Sequence, residues 1–227
     1  TTTPPTPYCN IFDLTKTIAP SILNSAASRL ALLDLSTWAS QSIDDYYAKL
    51  YEQIAGLIDQ GGFKSSAPSP SSSPRPLLRI AVHSIASPFW GDGSSPASSH
   101  SIIKFFHRLK LLLRNTFASC VITIPAHLYG DFHNLHSVPF IRRIEHACDA
   151  VLEVESFSGS PKPVNPLYTS DYSGLFHPRR LPRLNTINHS SRLSDIQLGS
   201  LGFKVRRKRF SIETFHLPPE AEDTGAR

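Results

Sequence analysis

The fold class that this chain predicts is α/β, a mostly parallel sheet flanked by helices with a mixed edge towards the C-terminus. Two short apolar runs, LLRIAVHSI (77–85) and ASCVITIPA (118–126), flank a stretch with helical periodicity. Strand, helix and strand within about 45 residues make a βαβ unit, whose strands lie parallel because the crossover returns the chain to the same end. A third branched run, AVLEVESF (150–157), follows one further short segment and extends the pattern.

The elements follow in order. SQSIDDYYAKLYEQIAGLIDQGG (40–62) predicts an amphipathic helix, because Ile43, Tyr46 or Tyr47, Leu50, Ile54, Leu57 and Ile58 recur at three- and four-residue steps. Ser40 or Ser42 can cap it, Asp44 and Asp45 suit its positive end, and Gly61-Gly62 stops it. KSSAPSPSSSPRP (64–76) reads as a disordered linker, with too little apolar surface to offset the entropy of ordering. After the first strand comes a loop, then a helix over about 101–115 whose core stripe is Ile102, Phe105, Phe106, Leu109, Leu112 and Leu113. The second strand closes at Pro125. IRRIEHACDA (141–150) leads to the third, and FHPRRLPRLNTI (176–187) reads as a strand or hairpin arm.

FKVRRKRFSIETFHLPPE (203–220) reads as the closing strand. Its apolar positions change phase, Phe203 and Val205 on odd numbers but Phe210 and Ile212 on even ones. A uniform strand cannot bury both sets on one face, so a bulge or bend is expected within the basic run.

Composition narrows the function. No run approaches the roughly 18 apolar residues that span a bilayer, and TTTPPTPYCN lacks the features of a signal peptide; no membrane partner is expected. Cys9, Cys120 and Cys148 form no CxxC and no even framework, which favours a reducing compartment. With no methionine, the chain is expected to be a fragment, a processed form or an incomplete gene model. The charge of +5 is uneven: residues 158–210 hold ten Lys/Arg against two Asp, a net +8, leaving −3 for the rest. A basic C-terminal third on a slightly acidic body suggests a polyanion partner or a solvated basic surface.

Catalytic chemistry finds little foothold, and no catalytic residue is assigned. GGFKSS (61–66) resembles the end of a P-loop but fails on spacing and on context, since it ends a helix. His127, Asp131, His133 and His136 match no common zinc spacing and read as solvated loop residues, so no metal site is expected. There is no GxSxG elbow. Glu153 and Glu155 share a strand face, as a carboxylate pair or a sheet-edge contact would. His83 ends the first strand where nucleotide-hydrolysing α/β folds place a magnesium-holding Asp; imidazole is a poor magnesium ligand, and a histidine satisfied at a strand end is the alternative. In YTSDYSGLFHPRRLPRLN (168–185), Tyr168, Tyr172 and Phe176 lie near Arg179, Arg180 and Arg183. Aromatics stack on unpaired bases while arginines neutralise phosphates, a mixture suited to single-stranded or looped RNA and found also in protein interfaces.

Several long blocks, in order, carry a resemblance: LLRIAVHSIASPFWGD, SIIKFFHRLKLLLRNTFASCVITIPAHL, DAVLEVESFSGS, NPLYTSDYSGLFHPRRLPRLNTI and FKVRRKRFSIETFHLPPE, with YCNIFDLTK near the start. They resemble the fourth-subunit (PAXNEB-type) family of Elongator, the complex that modifies wobble uridines of transfer RNA, over most of Leu77 to Glu220. The resemblance implies a RecA-like, P-loop-NTPase-type fold that has lost much of its P-loop signature. It implies a ring of six with Elongator subunits five and six, joined to a catalytic subcomplex whose chemistry resides in another chain. It also implies transfer-RNA binding, residence in cytoplasm and nucleus, and the option of ATP at subunit interfaces.

On that basis residues 1–63 are a helical N-terminal remnant, 64–76 the linker, 77–220 the RecA-like core and 221–227 a flexible tail. The family's first strand and P-loop-like region are not found before YCNIFDLTK. His83 and Ser84 become nucleotide-proximal candidates at a Walker-B-like strand end. Residues 158–180 follow the third strand where such rings place a pore-facing loop. The RNA-binding candidates are Tyr168, Tyr172, Arg179, Arg180, Arg183, Lys204, Arg206, Arg207, Lys208 and Arg209, the last five serving RNA or a neighbouring subunit. The expected role is a non-catalytic structural and RNA-contacting subunit, with an ATPase that drives transfer-RNA release as the alternative.

Overall fold

The computed structural model describes residues 13–34, 43–67, 75–90, 96–129, 140–159, 172–182 and 201–214. The chain forms two compact units, one of Asp34–Asp149 and one combining Thr1–Leu33 with Ala150–Arg227. The division falls inside the stretch expected to form one core.

The first unit contains α2 (Ile43–Gln60), β1 (Leu78–Val82), α3 (Pro96–Leu113), β2 (Ala118–Ile122) and α4 (Phe140–Ala147); α1 (Pro20–Ala26) belongs to the other unit. Tyr47, Leu50, Ile54 and Ile58 of α2 are buried at three- and four-residue steps. They pack in the same core as Ile102, Ile103, Phe105, Phe106 and Leu109 of α3 and Ile144 and Ala147 of α4. Of the two tyrosines proposed for the stripe, Tyr47 enters the core while Tyr46 stays half-buried and meets Trp90 edge-on. α2 ends on Gly62 at φ +66°, the left-handed stop its sequence predicts.

α3 begins at Pro96, several residues before its apolar stripe. Proline suits a first turn because its φ is already helical and its missing N–H would find no partner there. β1 and β2 run parallel with Leu78 opposite Ala118 and Val82 opposite Ile122, as the βαβ reading requires. The start of the expected linker is tied down: Lys64 bridges Thr116, and Ser65 N–H donates to the Asn115 carbonyl. Its end is held by the Arg75 guanidinium, which donates to the carbonyls of Ser65 and Ala67 and lies over the Phe117 ring; residues 68–74 lie outside the described residues.

The second unit carries β3 (Val151–Ser156), β4 (Gly174–Arg180), β5 (Leu201–Arg206) and β6 (Arg209–Thr214), an antiparallel sheet in the order β3-β4-β5-β6. The expectation of a mostly parallel sheet is thus corrected: among the described residues the parallel part is β1–β2 alone. The third strand pairs with the segment after it. The expectation of one closing strand is corrected too, because the chain reverses within the basic run to make two strands.

Gly174 is what lets this sheet close. A Cβ there would lie 2.1 Å from the Glu155 carbonyl oxygen and 2.5 Å from the Phe203 ring, so no side chain fits while Phe203 packs over β4.

Candidate nucleic-acid interface

β5 and β6 are joined by Arg207-Lys208 alone, with Arg206 opposite Arg209, Val205 opposite Phe210 and Phe203 opposite Ile212. Across a two-residue turn, partners carry opposite parity. Apolar residues on odd positions before the turn and even positions after it therefore share one face. The phase change read as a bulge is the signature of this hairpin. Phe203, buried, stacks on Phe210 with ring centroids 5.3 Å apart.

The other face carries Lys204, Arg206, Arg209, Ser211 and Glu213 by the same alternation. Arg206, Arg207, Lys208 and Arg209 are all exposed and gather at the tip. Neither turn residue adopts positive φ, so the turn is not of the primed type that glycine or asparagine favours. It is braced instead by the Leu14 N–H, which donates to the Lys208 carbonyl at 3.2 Å. Leu14 belongs to the FDLTK segment, so that N-terminal block supports the C-terminal turn. Asp13 beside it accepts hydrogen bonds from the Thr15 hydroxyl and N–H, which hold its carboxyl below the usual range.

The remaining basic candidates are committed elsewhere. Lys204 pairs with Glu213 at 2.8 Å and sits 4.6 Å above the Tyr172 ring. The hydrogen bond from Lys204 is the main cause of a Glu213 pKa below the usual range, with the charges of Lys204 and Arg206 and the Ser211 hydroxyl adding to it. The Tyr172 hydroxyl donates to the Thr214 carbonyl at 3.3 Å. Arg179, at the bulge opposite Val151 and Leu152, pairs with Glu153. His177 meets Glu155 at 3.3 Å, so the two strand carboxylates form cross-strand pairs instead of a carboxylate dyad. Arg180 lies half-buried at the end of β4. Tyr168, Arg183 and residues 215–220 lie outside the described residues, as do Asp131, His133 and His136. His127 is exposed.

His83 and Ser84 stand in the other unit, where the chain leaves β1. His83 is exposed. Ser84 and Ala86 adopt φ of 53° and 62°, a left-handed conformation that costs a residue with a Cβ about 1–3 kcal/mol. Neighbours hold the turn: Ser84 N–H donates to the Thr123 hydroxyl at 2.8 Å and Ile85 N–H to the Thr123 carbonyl at 3.0 Å. The Tyr129 hydroxyl donates to the Ala86 carbonyl, and the Tyr47 phenol is hydrogen-bonded to the Ala86 backbone. Burial pushes both phenols upward, and in Tyr47 the neighbouring Tyr129 adds to the shift, so both stay protonated at neutral pH. Ser87 Oγ is buried without a protein partner. Thr123, Tyr129 and Tyr47 carry no motif that marks them in sequence; only their convergence on Ala86 does.

Comparison with known proteins follows the same blocks. A family model described as "PAXNEB protein" matches residues 1–227. The chain is 39% identical over 82% of its length to Elongator complex protein 4 of Homo sapiens, covering 42% of that protein. It is 35% identical over 97% of its length to the proteins of the same name from Xenopus laevis and Danio rerio, covering 52% and 54% of them. The chain thus spans about half the length of the curated relatives it matches.

Proposed function

The chain belongs to the PAXNEB protein family, and from that premise we propose that it serves as a non-catalytic structural and transfer-RNA-contacting subunit of the Elongator complex. In this reading it takes a RecA-like place in a six-membered ring with subunits five and six and supports wobble-uridine modification carried out by another chain. The relatives' shared name, Elongator complex protein 4, supports membership of such a complex. The observation that carries the RNA-contacting role is the hairpin tip, where Arg206, Arg207, Lys208 and Arg209 stand exposed on one two-residue turn.

The geometry favours phosphate contact over base stacking at this site. Tyr172 already holds Lys204 against its ring, whereas the tip offers guanidinium and ammonium groups that neutralise phosphates without reading sequence. The test is transfer-RNA binding by the reconstituted ring with the tip neutralised. Weakened binding with a shallower salt dependence supports the role; unchanged binding removes it.

A second reading, an ATPase whose sites lie between subunits and drive transfer-RNA release, draws on the turn at Ser84–Ser87. Ligands of open α/β sheets bind beyond the carboxyl ends of parallel strands, and strained backbone clusters at such sites; His83 and Ser84 occupy that position on β1. Loss of ATP turnover by the reconstituted ring on His83→Ala would favour this reading over the first.

A further inference from the structure

The four-stranded sheet has one polar face and one apolar face, and the apolar one is open. By strand alternation Leu152 and Val154 of β3, Val205 of β5, and Phe210 and Ile212 of β6 lie on the same side. They are 44% to 58% exposed. Phe203 alone among the described aliphatic and aromatic residues of this unit is fully buried. The opposite face is already satisfied by the Arg179–Glu153, His177–Glu155 and Lys204–Glu213 pairs. Antiparallel sheets commonly pack one face and solvate the other. Here the face with the solvated chemistry is the ion-paired one, so the apolar face is the one built for packing. Monomeric proteins rarely leave a contiguous apolar patch of this kind uncovered.

We propose that this face is a docking surface for a protein partner with an apolar centre and a carboxylate-bearing rim. The charge beside it selects that occupant. The tip that ends β5 and begins β6 places Arg206, Arg207, Lys208 and Arg209 at the border of the patch. Aliphatic side chains such as Val205 and Ile212 have no chemistry for phosphates, so RNA does not fit the face itself. A second copy of the chain would bring the same positive tip to the same patch. A partner with acidic groups around an apolar patch meets both features, the apolar area supplying the buried centre and the cations steering association from the rim. The basic run and the apolar positions interleaved with it then serve one purpose, each on its own side of the hairpin.

This inference rests on the subunit reading above, and its partner is one of the two ring neighbours named there. The experiment co-expresses the full chain with those neighbours, unsubstituted or with Phe210→Glu and Ile212→Glu together, and measures affinity after purification. We expect the double substitution to weaken assembly at least tenfold while leaving the melting temperature of the chain alone unchanged, because both residues are already largely exposed. Lys208→Glu should slow association and flatten its salt dependence. Unchanged assembly by the double variant overturns the docking surface and leaves the subunit reading standing; failure of the unsubstituted chain to assemble overturns the subunit reading and the inference with it. The inference also falls if the chain alone dimerises and the double variant is monomeric. It falls equally if phosphatidylserine vesicles bind the chain and the double variant loses them.

Discussion

Replacing Arg206, Arg207, Lys208 and Arg209 together by Gln removes the positive charge of the hairpin tip and leaves Phe203, Phe210 and the Lys204–Glu213 pair in place. Each neutralised phosphate contributes roughly 0.7 (single strand) to 0.9 (duplex) to the slope of log affinity against log salt. Four such contacts amount to a slope of about 3 to 3.5, or about 50- to 150-fold in affinity between 50 and 200 mM salt. The assay is fluorescence anisotropy of labelled transfer RNA with the reconstituted ring over a potassium chloride series. The variant should bind more weakly at low salt, by about that factor, with a slope smaller by about 3. The two curves should converge at high salt, where counterion release no longer favours binding. A weaker variant with an unchanged slope would mean the tip acts through structure and not through phosphates, and the reasoning would fail.

Other consequences are sharper in stability and chemistry. Gly174→Ala forces a Cβ against the Glu155 carbonyl and the Phe203 ring and should cost about 1–3 kcal/mol by overpacking, read as a lower denaturant midpoint; an unshifted midpoint would contradict the packing of Phe203 over β4. Ile58, fully buried on α2, should cost about 2–5 kcal/mol as Ile58→Ala, seen in urea unfolding. Burial pushes the Cys120 thiol from 9.0 up to about 11, with Cys148 adding to the shift, so alkylation by iodoacetamide at pH 8 should run about 100-fold slower than at an unshifted thiol; ordinary reactivity would show Cys120 to be more open than described. The lowered Glu213 pKa means that the Lys204 pair stabilises the sheet above the ordinary carboxylate range and is lost as pH falls through the folded-state value. In an NMR titration Glu213 should titrate below 4.5 and move up on Lys204→Gln.

The elements with strong periodicity were legible in the sequence. The stripe at Leu50, Ile54 and Ile58 specifies one helical face, and two branched runs around a helix require parallel strands; both appear as read. What sequence reasoning missed depended on pairing across distance. The apolar phase change in FKVRRKRFSIE was visible, but its usual causes, a bulge or a bend, hid the simpler one, a turn of two charged residues without the glycine or asparagine that marks most tight hairpins. The start of α3 lay outside its apolar stripe because a first turn needs a compatible residue such as Pro96, not a core contact. At the candidate site, the local density of arginine and tyrosine marked the basic region. Which charges are committed follows only from β3 lying beside β4 and β5 beside β6, which brings Glu153 to Arg179 and Glu213 to Lys204. The Leu14 brace on Lys208 joins opposite ends of the chain, and no local pattern encodes it.

The central claim, that the basic hairpin meets transfer RNA within the assembled complex, is tested most directly by photochemical cross-linking of transfer RNA to that complex, with the adducts mapped by mass spectrometry. The account predicts adducts on the peptide spanning Arg206–Arg209 that disappear on tip neutralisation. Adducts confined to other segments, with the hairpin unmodified, would contradict it.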